Sequence, residues 1–170
     1  MHRRNKFFLP SATALGVAAI ALSACTSAEV SAIKAASQDQ IRSVRISEIA
    51  VKTSSPTPNS TLEAALEAEL RGRMQECATG SVDHRMDVTI VDFEEASLGQ
   101  AIFLADEIEL KGRVELTEVA TGNKAGEYFV ERSFAWGGIM GAAMMADPEN
   151  SMSEGFADSV CEDIFAKTAE

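Results

Sequence analysis

The strongest constraint on the fold is a pair of alternating segments joined by a short turn. Residues 107–119 alternate apolar and mostly charged side chains, which is the period of a strand with one buried and one solvated face. Residues 120–124 have turn composition, and residues 127–136 resume a strand. The pattern therefore predicts a β-hairpin. Its apolar positions are Ile108, Leu110, Gly112, Val114 and Leu116, then Tyr128, Val130, Phe134 and Trp136.

Two more strands are predicted upstream of the hairpin. Residues 43–52 alternate, but the alternation slips by one residue near Glu48, which indicates a β-bulge. Residues 85–93 alternate Met86, Val88 and Ile90 with polar neighbours. Both segments therefore resemble strands with a single buried face.

Two amphipathic helices complete the set of predicted elements. Ser60 and Glu63 have the spacing of a capping box, and Gly80 is a plausible stop for the helix that they begin. The second helix is expected over residues 148–167, with Asp147 as N-cap and Pro148 at its first position. The apolar stripes are Leu62, Leu66, Leu70, Met74 and Cys77 in the first helix, and Met152, Phe156, Val160 and Ile164 in the second.

These elements predict an α+β fold in the order β-α-β-β-β-α. An antiparallel or mixed four-stranded sheet with two helices on one face would bury every apolar stripe at once. We expect residues 42–168 to form a single domain, since a chain of this size buries well over half of its unfolded surface.

The N-terminus has the organisation of an export signal. Arg3, Arg4 and Lys6 precede the charge-free residues 7–22, which gives a basic region followed by an apolar region. A membrane-spanning helix needs about 20 apolar residues, and this run is interrupted by Pro10 and other polar or small residues. A cleaved signal is therefore favoured over a permanent transmembrane anchor.

The tetrapeptide Leu22-Ser23-Ala24-Cys25 resembles the lipobox of bacterial lipoproteins. The resemblance implies cleavage between Ala24 and Cys25, removal of residues 1–24, and diacylglycerol on the Cys25 thiol. Two or three acyl chains hold a protein durably, whereas one does not. The alternative is an ordinary secretory signal with Cys25 left free.

The residues after Cys25 give an expected address. Thr26, in place of the Asp that retains lipoproteins at the inner membrane of enteric bacteria, favours the outer membrane and its periplasmic face, with the inner membrane as the alternative. Residues 25–41 are expected to be the lipidated cysteine and a flexible tether, which would let the domain stand about 50 Å from the bilayer.

The net charge limits the possible partners. The chain has 15 Lys plus Arg and 26 Asp plus Glu, a net charge of −11, and loss of the three basic residues of the signal makes it −14. Such a surface does not favour nucleic acid or an anionic lipid face. An acidic balance often reflects solubility alone, and a basic protein partner or divalent cations are the alternative.

Cys77 and Cys161 are the remaining cysteines. In an oxidising periplasm an even pair can form a disulfide. Both fall near the apolar side of a predicted helix, so two buried thiols that never meet are the alternative. We expect no metal site, because the other soft ligand of the mature chain is His84 beside Arg85.

The sequence lacks a recognisable catalytic set. It has no phosphate-binding loop, no nucleophile paired with an available His, and no calcium-binding loop. The acidic pairs Glu94 with Glu95 and Asp106 with Glu107 fall at predicted strand ends, where acids usually face water. We therefore expect no enzyme and no cofactor beyond the covalent lipid on Cys25.

Residues 136–146 stand out as a charge-free segment rich in Gly and Met. One interpretation is a loop that packs over the end of the sheet, where glycines allow close approach and Met fills gaps. The other is a surface that binds a protein partner or touches the membrane. Its candidate interaction residues are Trp136, Gly137, Gly138, Ile139, Met140, Gly141, Met144 and Met145.

Part of the domain also resembles known families. The hairpin sequence at residues 111–116 and 120–122, the Gly-rich run after Phe134 and the last amphipathic helix are similar to small bacterial envelope lipoproteins of unknown function. The order of elements more loosely resembles auxiliary lipoproteins of ABC-type lipid transporters and of curli-type secretion. The Gly-Phe-x-Leu-Arg run of the lipopolysaccharide-assembly lipoprotein is absent after Cys25.

These resemblances imply a function in the cell envelope. We expect a membrane-anchored, non-enzymatic protein that binds or scaffolds an envelope protein or a transport assembly. The alternative is a carrier of a small ligand or lipid, with the Gly/Met segment as its lid.

Overall fold

The computed structural model describes residues 25–54, 58–94, 106–136 and 147–166, which form five strands and three α-helices. The strands are β1 (Cys25–Lys34), β2 (Val44–Thr53), β3 (Val82–Glu94), β4 (Asp106–Glu118) and β5 (Lys124–Trp136). The helices are α1 (Gln38–Ser43), α2 (Ser60–Cys77) and α3 (Pro148–Val160), and α3 continues as a π-helical turn (Cys161–Phe165).

The strands form one mixed sheet in the order β1-β5-β4-β3-β2. β2 and β3 are parallel, with α2 as the crossover between them, and every other neighbouring pair is antiparallel. The predicted hairpin is confirmed as β4 and β5. The predicted bulge is also confirmed, because the β2 register shifts between Ile46 and Glu48.

α2 and α3 cover one face of the sheet and bury the stripes that the sequence predicted. Phe156 of α3 is fully buried, and its ring lies over Gly112 of β4. A Cβ atom at Gly112 would lie 2.8 Å from the Phe156 ring, so the strand needs glycine there for the helix to pack closely. Charged residues such as Glu109, Lys111 and Arg113 occupy the opposite, solvated face, whereas Arg132 lies against Gly155 of α3 on the helix-covered face.

The start of α2 differs from the predicted capping box. Asn59 is the N-cap, and its Oδ1 accepts a hydrogen bond from the backbone N of Leu62 at 3.0 Å. Glu63 is not used to cap the helix, because its Oε1 accepts from the backbone N of Thr53 at 2.7 Å. The first turn of α2 is therefore fastened to the end of β2.

The start of α3 agrees with the prediction. Asp147 is the N-cap, Pro148 occupies the first turn, and the Asp147 side chain accepts from the backbone N of Asn150 at 3.3 Å. The regular helix ends at Val160, earlier than predicted, because hydrogen bonding changes to a π turn over Cys161–Phe165.

The prediction of a flexible tether is wrong for its first ten residues, Cys25–Lys34. Cys25–Lys34 forms β1, which pairs antiparallel with β5 and adds a fifth strand to the predicted four. The physical reason is the edge of β5, whose unpaired backbone groups bind a strand regardless of that strand's own pattern. α1 then follows as a third helix, and a capping box between Ser37 and Gln40 stabilises its N-terminus.

Candidate functional site

At one end of the sheet, Cys25 lies next to the last strand. β1 and β4 begin at this end, and β2, β3 and β5 finish there. Cys25 is the register partner of Ala135, and Asp106 is the partner of Trp136. We name this the Cys25 end.

Both long helices also begin at the Cys25 end. The chain leaves β2 at this end, and α2 then runs to the opposite end of the sheet, where β3 begins. α3 finishes at that opposite end too, and the two helices are joined there. There Cys77 and Cys161 form a disulfide with their Cα atoms 5.8 Å apart, a usual separation for such a bond. We name this the disulfide end. The bond ties the C-terminus of α2 to the turn after α3.

The candidate interaction segment starts at the Cys25 end. Trp136 is the last residue of β5, and the chain re-enters the described fold at Asp147 before α3. Its other residues lie outside the described part of the chain: Gly137, Gly138, Ile139, Met140, Gly141, Met144 and Met145.

The candidate acids and the histidine are not brought together. His84 pairs in register with Glu118 at the disulfide end, where its ring is buried and Nδ1 lies 2.9 Å from the Val82 carbonyl oxygen. Glu94 pairs with Glu109 at the other end of the same strands, roughly 30 Å away at the rise of a strand.

The remaining acidic candidates give no cluster either. Glu95 lies outside the described residues, as do the side chains of Asp106 and Glu107. Within the described ranges, no group of three or more His, Cys, Asp or Glu side chains could hold a metal ion.

The solvated face of the sheet carries two interacting carboxyl groups, those of Glu109 and Glu131. Lys111 Nζ donates to Glu109 Oε2 at 2.7 Å, and this hydrogen bond lowers the pKa of Glu109. The pKa of Glu131 is raised, first because it shares a hydrogen bond with Glu109 and then because of desolvation. Glu131 therefore holds a proton more readily than Glu109.

Ion pairs neutralise much of the rest of that face. Arg113 Nη1 lies 2.7 Å from Glu127 Oε1, and Lys124 Nζ lies 2.6 Å from Glu115 and 2.8 Å from Glu127. These contacts lower the pKa of Glu127, with the hydrogen bond from Lys124 as the largest cause. The centre of the face is therefore a network of opposite charges with no isolated reactive group.

The two edge strands differ from that centre. The outer edges of β1 and β2 have no partner strand in the described sheet, apart from Thr79, which bridges to Arg45 at the start of β2. Four charged residues on these strands are exposed and make no ion pair with the described part of the chain: Glu29, Lys34, Glu48 and Lys52. Sequence reasoning missed Glu29 and Lys34 because β1 was not predicted as a strand, and it missed Glu48 and Lys52 because the edge position of β2 depends on the order of the strands in the sheet.

No protein-family model and no curated protein matches the sequence. Among solved structures, a PelC variant from Paraburkholderia phytofirmans, described as a dodecamer, is 11% identical, covering 81% of this chain and 98% of that chain with a TM-score of 0.43. A protein from Caulobacter crescentus described as a lipoprotein is 10% identical, covering 78% and 95% with a TM-score of 0.49.

A DUF330 protein from Xanthomonas campestris is 11% identical, covering 70% of this chain and 81% of that chain with a TM-score of 0.43. At these identities and TM-scores, the similarities assign neither a family nor a function to the chain. No helix in the described part of the chain has the length and apolar character needed to cross a membrane.

Proposed function

We propose that the protein is a lipid-anchored, non-enzymatic binding or scaffolding component of the bacterial cell envelope, on the periplasmic face of the outer membrane. One observation carries the proposal. Cys25, the cysteine of the lipobox-like tetrapeptide, is the first residue of β1 and pairs with Ala135 inside the sheet. A lipid on Cys25 would therefore be attached directly to the folded domain.

This attachment would orient the domain. With no flexible linker between the acyl chains and β1, the Cys25 end would face the bilayer and the disulfide end would point away from it. The expected reach of about 50 Å, calculated for an extended tether, is replaced by a domain held close to the membrane. Such a domain is suited to presenting one fixed surface to a partner.

The arrangement of the polar groups supports a binding role over catalysis. His84 and Glu94 lie at opposite ends of β3, and the central charges of the outer face are largely engaged in ion pairs. A general acid and base need to approach one substrate within hydrogen-bonding reach. The described residues offer surfaces and edges for binding instead.

The test is the chemical state of Cys25 in the native membrane. The intact protein should yield an N-terminal peptide that begins at Cys25 and carries diacylglycerol, and it should partition with outer-membrane vesicles. Cys25→Ser should abolish the lipid and release a folded domain, whereas Ala28→Ser, a matched small change in β1, should leave lipid and location unchanged.

Two results would contradict the proposal. An unlipidated Cys25 in the mature protein would exclude the anchor, and full function of the soluble Cys25→Ser protein would exclude its role. Native mass spectrometry of the solubilised protein adds a check on the binding role, because a small molecule retained in stoichiometric amount would favour a carrier.

A further inference from the structure

The two outer edges of the described sheet are opposite in direction. β1 and β2 each have ten residues, and the open stretch of β2 lies between Arg45, which bridges to Thr79, and Thr53, whose backbone N donates to Glu63. β1 begins at the Cys25 end, whereas β2 finishes there. If two copies of the chain stand side by side with their Cys25 ends pointing the same way, β1 of one copy runs antiparallel to β2 of the next. Antiparallel strands can pair directly through their unpaired backbone groups.

The side chains on each edge can be assigned to a face from their register partners. On β1, Glu29 and Lys34 pair with Glu131 and Glu127 of β5, so both lie on the solvated face. The bulge between Ala32 and Lys34 is what returns Lys34 to that face.

The same reasoning applies to β2. Glu48 and Lys52 pair with Arg85 and Thr89 of β3 and lie on the solvated face. Val51 pairs with the buried Val88, so Val51 lies on the helix-covered face. Val30 of β1 lies on that same face, because it pairs with the buried Val130.

One register between the two edges matches charge and apolar character together. When Glu29 of one copy is opposite Lys52 of the next, Val30 is opposite Val51. Ile33 is the extra residue of the β1 bulge, so the next paired residue, Lys34, lies opposite Glu48. Both charged pairs then have opposite signs, which is the favourable cross-strand combination. These are also the four edge charges that lack an ion pair within the described chain.

We propose that copies of this chain associate edge to edge, with β1 of one copy pairing antiparallel to β2 of the next in the register that sets Glu29 against Lys52. The contact is heterologous, so repetition produces a closed ring or an open filament and does not stop at a dimer. The Cys25 ends of all copies lie on the same side of the assembly. This polarity rests on the proposed function, because it lets every lipid enter one bilayer.

Pairing of β1 with β1 of another copy is disfavoured by the same argument. Two antiparallel β1 strands would direct their Cys25 residues to opposite ends of the joined sheet. Both lipids could not then enter one bilayer with the Cys25 ends facing it.

A register-specific crosslink tests the contact. Glu29→Cys combined with Lys52→Cys, in the lipidated protein within native membranes, should give a ladder of disulfide-linked dimers, trimers and larger species on a non-reducing gel. Directly opposed residues of an antiparallel pair lie within disulfide range. The matched control is Glu29→Cys with Ala50→Cys, which shifts one partner by two residues on the same face and should not give the ladder. Each single variant should remain monomeric on the gel.

Charge reversal provides a second test with a built-in rescue. Glu29→Lys or Lys52→Glu alone should weaken each contact by about two- to fivefold, the range expected for one cross-strand charge pair. The double variant restores opposite signs across every contact and should recover the assembly. All of these positions are exposed, so the fold should survive, and an oxidised Cys77–Cys161 pair verifies it.

The outcomes separate this inference from the proposed function. A lipidated protein that gives no ladder, or gives the same ladder in the shifted control, overturns edge-to-edge association and leaves the anchor intact. A protein that gives the ladder but carries no lipid overturns the proposed function and leaves the edge contact standing. Failure of the double charge variant to recover also contradicts the proposed register.

Discussion

β4 and β1 flank the same strand, β5, on its two sides, but they are held in place by different means. β4 buries Ile108, Leu110, Val114 and Leu116 beneath the helices. In β1, every side chain from Ser27 to Lys34 is exposed except Val30, which is half-buried. β4 is therefore fixed by side-chain burial, whereas β1 depends mainly on backbone pairing with β5.

This difference shows how two strands of one sheet can have separate functions. Burial makes β4 part of the core and leaves little freedom to change it. β1 contributes little to the core, so its side chains and its outer edge are free to serve attachment and association. The segment that we predicted to be a tether thus remains the proposed attachment segment, but it is folded.

The largest expected effect is in the centre of the molecule. Phe156→Ala should lower the free energy of unfolding by about 3–5 kcal/mol, because it empties a buried ring site against β4. Chemical denaturation measures this. Phe129→Ala, the same change on the solvated face of β5, is the matched control and should cost much less. Equal losses would contradict the assignment of the buried face.

Loss of the Cys77–Cys161 disulfide should have the next largest effect on stability. Replacing both Cys77 and Cys161 with Ser should cost about 2–4 kcal/mol, since the bond restrains the unfolded chain. Peptide masses with and without reductant verify the bond, and denaturation measures its contribution. Two free thiols in protein isolated from the periplasm would contradict this part of the structure.

A valine pair compares the two strands directly. Val30→Ala in β1 should cost about 1 kcal/mol or less, because only part of the side chain leaves water on folding. Val114→Ala in β4 removes the same atoms from a fully buried site and should cost at least twice as much. If the two variants lose equal stability, β1 is more deeply integrated into the core than its exposure indicates.

The smallest effect is expected from the carboxyl groups of Glu109 and Glu131, and its size depends on pH. The pKa of Glu131 is raised above its ordinary 4.5, so the stabilisation from its bound proton is lost as the pH rises through the folded-state pKa. Glu131→Gln should therefore slightly stabilise the protein at pH 7 and lose that advantage below pH 4.5.

Glu109→Gln is the control of opposite sign. The pKa of Glu109 is lowered by Lys111, so its stabilising contribution is present at neutral pH and is lost as the pH falls. Removing it should slightly destabilise the protein at pH 7. Denaturation curves at both pH values measure the difference, and equal signs for the two variants would contradict the opposite pKa shifts of the two groups.

The sequence predicts those parts of the fold whose residues carry their own pattern. The alternation of β4 and the stripe of α2 each depend on burial of one face, so local periodicity was sufficient to locate them. β1 was not predicted, because the residues between Cys25 and Lys34 show no such alternation and become a strand only against the edge of β5. Its structure depends on a partner about 100 residues away in the chain, which no local rule includes.

The residues of the candidate site also divide into those that a local sequence signal predicts and those that only the fold brings together. Cys25 is predicted as the lipidation site from the residues immediately before it, since a lipobox is a local signal, and this stays a prediction. The matched charges of the two edges could not be found from sequence, because they gain meaning only when Glu29 and Lys52 are placed on opposite edges of one sheet. The Gly/Met segment was selected from its composition, and it remains a prediction.

The central claim is that Cys25, the proposed site of the lipid, begins a strand of the folded domain and not a tether. Hydrogen–deuterium exchange on the lipidated protein in membranes tests it directly, with β4 amides as the slow reference. Amides between Thr26 and Lys34 that donate to β5 should exchange more slowly than an unstructured chain, since alternate N–H groups of an edge strand point at its partner. Exchange of all these amides at the unstructured rate would restore the tether and contradict the account.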